Sequence, residues 1–377
     1  MRFPSPHKTK THPPQLTHLN HLPTHIHTLF LFTKNDFPTF ALPTTLFALL
    51  TTLSGHPLTT NTTPTLFPTL LRIPYTLTLI WLALLVINIA NQRHPAAVAE
   101  DKTNNAHRPL PQGRMTCEDA RKLLLVVVPV VVAVGWGSGV LEETLLVCAL
   151  AWMYNDLGGS EHHWGLKNLI VSVGYGVFFS LALRITTGPN HTITAKGYHW
   201  IIVITLVMFA TQHIADVKDV EGDRLRGRRT APVALGEEVC RWSIAAGVVL
   251  SSGFCSAFFD LGVASHCFTV TLGCLVAGRT IVCRGVNVDK TTWRLWVLWT
   301  CTLFSLPLVA SPLVLFQAWE EVKAMVCVRG ECNGVLNLGA ASGIALIIKS
   351  RRVIARLERG NTTVVSVPEI AINGVVG

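Results

Sequence analysis

The sequence predicts an all-α, polytopic integral membrane protein with about nine transmembrane helices in one bundle. Three observations predict it. Half of the 377 residues are hydrophobic and only 14% are charged, where a soluble domain carries about 25%. The mean hydropathy is +0.43. The apolar residues are also gathered into runs long enough to cross a bilayer, which takes about 20 residues with a range of about 17–25. Length alone would allow two or three soluble domains; the runs indicate one large membrane domain instead.

Residues 1–28 are rich in His, Pro and Thr, with His7, His12, His18, His21, His25 and His27. They read as a disordered leader, with a metal-binding tail as the alternative. A signal peptide's order of basic region, apolar core and small-residue cleavage site is missing. The membrane domain follows over 29–319. Its expected spans are 37–54, 73–91, 123–140, 141–157, 168–186, 199–216, 242–260, 262–283 and 293–318. Only the turn Gly135-Trp136-Gly137-Ser138-Gly139 separates the third from the fourth. Pro43, Pro129 and Pro307 fall inside runs and are expected to kink them. A divergent tail occupies 320–377; its apolar stretch from Val335 to Ile348 is too short to span.

The net charge of +9 does not indicate a nucleic-acid partner, because the basic residues sit in short loops between apolar runs. One set of alternate loops holds Arg93, Lys102, Arg108, Arg114, Arg121, Lys122, Lys167, the arginines after Asp216, Arg284 and Lys290. The other set holds little beyond Arg72 and Lys196. That asymmetry assigns the first set to the cytosolic side. The ten cysteines lie mostly in apolar runs, form no CxxC pair or zinc spacing, and read as small apolar residues.

The chemistry is densest where the sixth run ends. The stretch reads Asp216-Val217-Lys218-Asp219-Val220-Glu221-Gly222-Asp223-Arg224, then Gly227-Arg228-Arg229-Thr230. On a continuous helix, Asp216, Asp219 and Asp223 would project from one face. Three such carboxylates repel one another unless a cation sits among them. Oxygen ligands without His or Cys favour Mg²⁺, which keeps waters and shares phosphate groups. Arg224, Arg226, Arg228 and Arg229 follow at once, so the stretch reads as a site for metal plus diphosphate at a membrane surface. The alternative, a charged loop that only fixes topology, needs the arginines but not the spaced aspartates.

A second polar loop follows the second run: Asn88-Ile89-Ala90-Asn91-Gln92-Arg93, then Glu100-Asp101-Lys102, then Arg108-Pro109-Leu110-Pro111-Gln112-Gly113-Arg114. With these residues the chain resembles the UbiA superfamily of intramembrane prenyltransferases over roughly residues 30–310. That family has nine helices, an Asn/Asp-rich motif after helix 2 ending in Arg-Pro-Leu-x-x-Gly-Arg, and an aspartate motif after helix 6. Here the first motif departs from the pattern. Asn91 matches its Asn, Gln92 replaces its first Asp, Pro95 stands near the second, and Glu100 and Asp101 stand near the third. Gln92 offers a carbonyl oxygen but no charge, so this half-site is expected to hold Mg²⁺ more weakly. After the fourth run comes Tyr154-Asn155-Asp156-Leu157-Gly158-Gly159-Ser160-Glu161, where aromatic prenyltransferases carry a basic loop. In combination these departures are similar to a fungal branch that includes membrane-bound sesquiterpene cyclases. For Asn155 and Asp156 a helix end running into a glycine turn is the structural alternative.

The resemblance implies a Mg²⁺-dependent enzyme that ionises an isoprenoid diphosphate at the bilayer. Asp216, Asp219 and Asp223, with Glu100 and Asp101, would ligate metal. Arg108, Arg114, Arg228 and Lys102 would hold diphosphate. Asn91, Gln92, Asn155 and Asp156 complete the expected catalytic set. The first expectation is prenyl transfer to an acceptor, such as an aromatic ring; the alternative is cyclisation of farnesyl diphosphate. A non-catalytic membrane protein or transporter is a third reading, although a transport site belongs nearer the bilayer midplane. In a eukaryotic cell the expected location is an endomembrane of endoplasmic-reticulum type. Trp136, Trp152, Trp200, Trp296 and Trp299 are candidates to line a cation cavity. Asp36 and Asp289, each beside a helix start, are equally explained as caps.

Overall fold

The computed structural model describes residues 22–311; the expected leader up to residue 21 and the expected 320–377 tail lie outside them. The described chain is helical, and its one extended pairing is an isolated bridge between Thr59 and Ile193. The helices are α1 (Leu22–Thr33), α2 (Leu42–Ser54, entered through a π-turn at Phe37–Ala41), α3 (Leu66–Gln92), α4 (Pro95–Asn104), α5 (Cys117–Gly137), α6 (Leu141–Asn155), α7 (Gly159–His162) and α8 (Trp164–Thr187). They continue as α9 (Ala195–Thr211), α10 (Ile214–Val217), α11 (Val220–Arg226), α12 (Ala231–Leu235), α13 (Glu237–Phe258), α14 (Val263–Val282) and α15 (Val286–Val309). Among the described residues, seven helical segments are long and apolar enough to cross a membrane: 37–54, α3, α5, α8, 195–217, α13 and α14. The other two expected spans form helices of a different character. α6 has 15 residues, and α15 opens with Asp289, Lys290 and Arg294.

Two apolar cores hold the bundle. One gathers Trp200, Ile204, Val248, Trp299 and Leu303 from α9, α13 and α15. The other gathers Leu79, Ala83, Val131 and Val147 from α3, α5 and α6. α8 joins them, because successive residues on a helix point in different directions: Phe179 belongs to the first core and Phe178 to the second. Several local expectations are refined. Pro43 lies in the first turn of α2, where a missing N–H costs little, whereas Pro129 and Pro307 are inside their helices, as is Pro74 in α3. The glycine turn between α5 and α6 is tight, since a Cβ on Gly135 would meet Thr144 Oγ1 at 2.2 Å.

Asp289 is not a cap of α15. Both its oxygens accept from the Arg241 guanidinium at 2.9 Å. Arg241 is 1% exposed and also donates to the Thr280 carbonyl, so it ties α13, α14 and α15 at the end that carries the polar loops. Asp289→Asn keeps the volume and loses the charge-assisted pair. It is expected to cost roughly 1.5–3 kcal/mol, read as a lower melting temperature in detergent.

Candidate active site

The polar loops meet at one end of the bundle: the C-terminal ends of α3, α6 and α9, the N-terminal end of α8, and the segments α4, α10 and α11. There they surround a cavity of about 290 Å³. Asn91, Arg108, Lys167, Gln212 and Asp216 give it a polar mouth. Phe40, Leu84, Ile170, Tyr175, Phe178 and Trp296 give it an apolar and largely aromatic interior. The Trp296 indole is fixed by donating to Thr211 Oγ1 at 3.1 Å. Of the other expected tryptophans, Trp200 and Trp299 are packed in the core, while Trp136 and Trp152 are exposed.

The aspartate stretch is not one helix. The chain breaks at Lys218 and Asp219, between α10 and α11, so the three aspartates do not share a face. Asp216 lines the cavity, and its Oδ1 accepts from the buried Lys167 ammonium at 2.5 Å. Asp223 is 3% exposed and lies 3.8 Å from the Arg228 guanidinium. Asp219 turns away, pairs with Lys218, and lines a wider polar cavity of about 680 Å³ with Glu221, Arg224 and Lys290. Gly222 lets α11 press on α4: a Cβ there would meet Asn104 Nδ2 at 2.1 Å. That close approach brings the two polar loops together.

Between them runs a network of ions. Arg228 donates to Asn91 Oδ1 at 2.9 Å and to Glu100 Oε1 at 3.2 Å. Arg226 donates to Asn91 Oδ1 at 3.2 Å, to Glu100 Oε2 at 3.0 Å and to Glu161 Oε1 at 3.0 Å. Glu100 is therefore occupied by two guanidiniums. Arg108 donates to Asp101 Oδ1 at 2.6 Å. Asp156 pairs with Arg93. Asn155 is buried and donates to the Ala151 carbonyl, with its own carbonyl oxygen unsatisfied. Gln92 is 1% exposed and sits behind the cavity wall, donating to the Phe32 carbonyl and Asn88 Oδ1. Lys102 and Arg114 are exposed and stand outside the lining of this cavity.

Burial, and then the neighbouring Asp216 carboxylate, raise the Asp223 pKa to about 7 against the opposing pull of Lys167 and Arg228. A buried carboxylate whose charge is disfavoured by burial and by a second carboxylate marks a place where a cation is stabilised. One oxygen each of Asp216, Asp223 and Asp101 is buried without a hydrogen-bond partner. Among the described residues no three His, Cys, Asp or Glu side chains converge into a complete cage. An incomplete set of oxygen donors fits Mg²⁺, which draws its remaining ligands from water and phosphate.

Sequence reasoning left Lys167, Tyr154 and Gln212 out of the site, and named Arg226 only as one of the arginines after Asp216. Lys167 was visible: it is an ionisable residue at the edge of an apolar run, which in a membrane protein marks function as readily as topology. Tyr154 and Gln212 carried no comparable signal.

A membrane-spanning helical bundle with an ionic mouth over an apolar cavity is built for an amphiphile with a charged head and a hydrocarbon tail. Residues 41–301 match the UbiA prenyltransferase family, and the chain belongs to that family. It is 29% identical over 293 residues to the somaliensene A/B synthase of Streptomyces somaliensis, covering 76% of this chain and 92% of that one. It is 30% identical over 223 residues to the fumagillin beta-trans-bergamotene synthase of Aspergillus fumigatus, covering 58% and 70%. A solved structure described as digeranylgeranylglyceryl phosphate synthase in membranes superposes with a TM-score of 0.52 at 14% identity, over 76% of this chain and 99% of that one, and shares the fold. The protein is thus a multi-pass membrane enzyme of the prenyltransferase and terpene-cyclase class.

Proposed function

We propose that the enzyme ionises an allylic prenyl diphosphate with the help of Mg²⁺ and cyclises the resulting chain. The observation that carries this reading is the cavity itself. Its volume of about 290 Å³ is at the low end of ligand pockets, which run about 300–1,000 Å³. It suits one short prenyl chain better than a chain plus an aromatic acceptor. The two synthases named above support the same choice. Prenyl transfer to an acceptor is the second reading, favoured by the motifs that the chain shares with its family.

In this reading Asp216 and Asp223 are the principal carboxylates for Mg²⁺, with Asp101, paired with Arg108, and Asp219, at the outer cavity, as further candidates. When bound, the metal offsets charge on the departing diphosphate. Arg228, Arg226, Arg108 and Lys167 aim cationic donors at the same oxygens. Asn91 and Glu100 orient the two guanidiniums of Arg226 and Arg228. Lys102 and Arg114 meet the head group on its way in, and Asn155 and Asp156 shape the mouth near Arg93. The rings of Phe40, Tyr175, Phe178 and Trp296 keep water from the cation and stabilise it through their faces. The polar loops face the cytosol by their charge, in an endomembrane if the cell is eukaryotic.

The deciding experiment supplies farnesyl diphosphate and Mg²⁺ to purified protein in detergent without an acceptor. A terpene hydrocarbon in the headspace is expected. Unchanged substrate, with product only after an aromatic acceptor is added, would establish transfer.

The far end of the cavity sets chain length. Tyr175, Trp296 and Thr39 line both this cavity and a small pocket beyond it, bounded by Pro43, Met208 and Phe304. Tyr175→Ala opens one into the other. Its kcat/KM for geranylgeranyl over farnesyl diphosphate is expected to rise about tenfold or more, within the range that pocket contacts of a few methylene groups supply.

A further inference from the structure

One carboxylate in the cavity has no role in the reading above. Asp36 precedes the π-turn Phe37–Ala41, where a side chain of its kind ordinarily accepts from a first-turn amide; here it makes no such bond. It lines the cavity beside Thr39, Phe40 and Tyr175, and the Phe40 and Tyr175 rings lie 4.6 Å apart. Four charged residues line this space: Asp36, Arg108, Lys167 and Asp216. Lys167 is paired with Asp216, and Arg108 with Asp101. The Asp36 side chain forms no hydrogen bond or ion pair with any described residue. π-Turns recur at functional sites because they push side chains out of helical register, and this one delivers Thr39 and Phe40 to the cavity wall.

We propose that Asp36 takes the proton that leaves the carbon skeleton. The proposal rests on the function proposed above and holds for both of its outcomes. The diphosphate departs with the electron pair of the broken carbon–oxygen bond. In cyclisation, a C–H bond next to the final cationic carbon then breaks, its electron pair becomes the C=C bond, and the proton goes to a carboxylate oxygen of Asp36. In transfer, the ring carbon bearing the new prenyl group loses its proton to the same oxygen, and the electron pair restores the aromatic ring. Nothing is oxidised or reduced in either case. The competing carboxylate, Asp216, is engaged by Lys167, whereas Asp36 stands free among aromatic faces.

The test compares wild type, Asp36→Asn and Asp36→Glu, each monodisperse in detergent, with farnesyl diphosphate and Mg²⁺, with and without 4-hydroxybenzoate. Released diphosphate and organic products are measured separately. Asp36→Asn is expected to keep releasing diphosphate while its deprotonated product falls by about 10²-fold or more, in line with general-base catalysis. The missing carbon should appear as water-captured prenyl or terpene alcohol, and Asp36→Glu should restore part of the wild-type product. Wild-type rates and products in Asp36→Asn would overturn the proposal, placing the base on diphosphate or solvent. So would parallel loss of diphosphate release and product in Asp36→Asn, or a wild-type product that is itself an alcohol. Wild-type protein that releases no diphosphate from farnesyl, geranyl or geranylgeranyl diphosphate under any of these conditions would remove the functional reading first, and this proposal with it.

Discussion

Asp223→Asn and Asp216→Asn are each expected to lower turnover of an allylic prenyl diphosphate by at least about 10²-fold, equivalent to roughly 2.7 kcal/mol of transition-state stabilisation. Both side chains are buried, each has an oxygen without a hydrogen-bond partner, and the Asp216 carboxylate raises the cost of charging Asp223. Replacing either one with a neutral amide removes the repulsion that makes a cation welcome there. Asp219→Asn is expected to cost less than about tenfold, because its carboxylate pairs with Lys218 and faces the outer cavity. Steady-state rates over a Mg²⁺ titration separate the three variants: loss at Asp216 or Asp223 should come with a higher metal requirement. Equal losses at all three positions would mean that the loop closes into a single face when substrate binds. Gln92→Glu gives an internal control. Gln92 donates to two oxygens in a buried place, so a carboxylate there would face acceptors and lower stability rather than improve metal binding.

Arg228 is expected to carry the second large effect. It is 6% exposed and joins Asn91, Glu100 and Asp223. Arg228→Ala strips the nearest cation from Asp223 and leaves Glu100 to Arg226 alone. Breaking a buried pair in this way costs about 3–5 kcal/mol of stability, and the lost diphosphate donor should reduce kcat/KM by at least about 10²-fold. Arg228→Lys keeps the charge without the planar fork, which is not a conservative change where one guanidinium bridges several oxygens. It should restore most of the stability and only part of the activity. Melting temperature and kcat/KM measured on the same preparations distinguish the two roles; full activity in Arg228→Ala would remove this residue from the site.

The membrane bundle was legible because apolar run length is a direct physical requirement of the bilayer. The two polar loops were legible because ionisable residues at the ends of such runs are costly to keep. The grouping within the loops was not. Spacings of three and four place Asp216, Asp219 and Asp223 together only if one helix continues through them, and the chain breaks at Lys218 and Asp219. Partners far apart in sequence were equally hidden. Lys167 reaches Asp216 from another helix, and Arg241 claims Asp289, which a local rule reads as a cap. Asp36 shows the converse: its local cap explanation was sound in sequence, yet in the fold it makes no cap bond and lines the cavity.

Release of diphosphate from farnesyl diphosphate, followed with and without Mg²⁺, tests the central claim most directly. The protein should release diphosphate in Mg²⁺ or Mn²⁺, stop in EDTA, and resume when the metal is returned, with Asp223→Asn at least about 10²-fold slower throughout. Undiminished release in EDTA, or release by Asp223→Asn at the wild-type rate, would contradict the account.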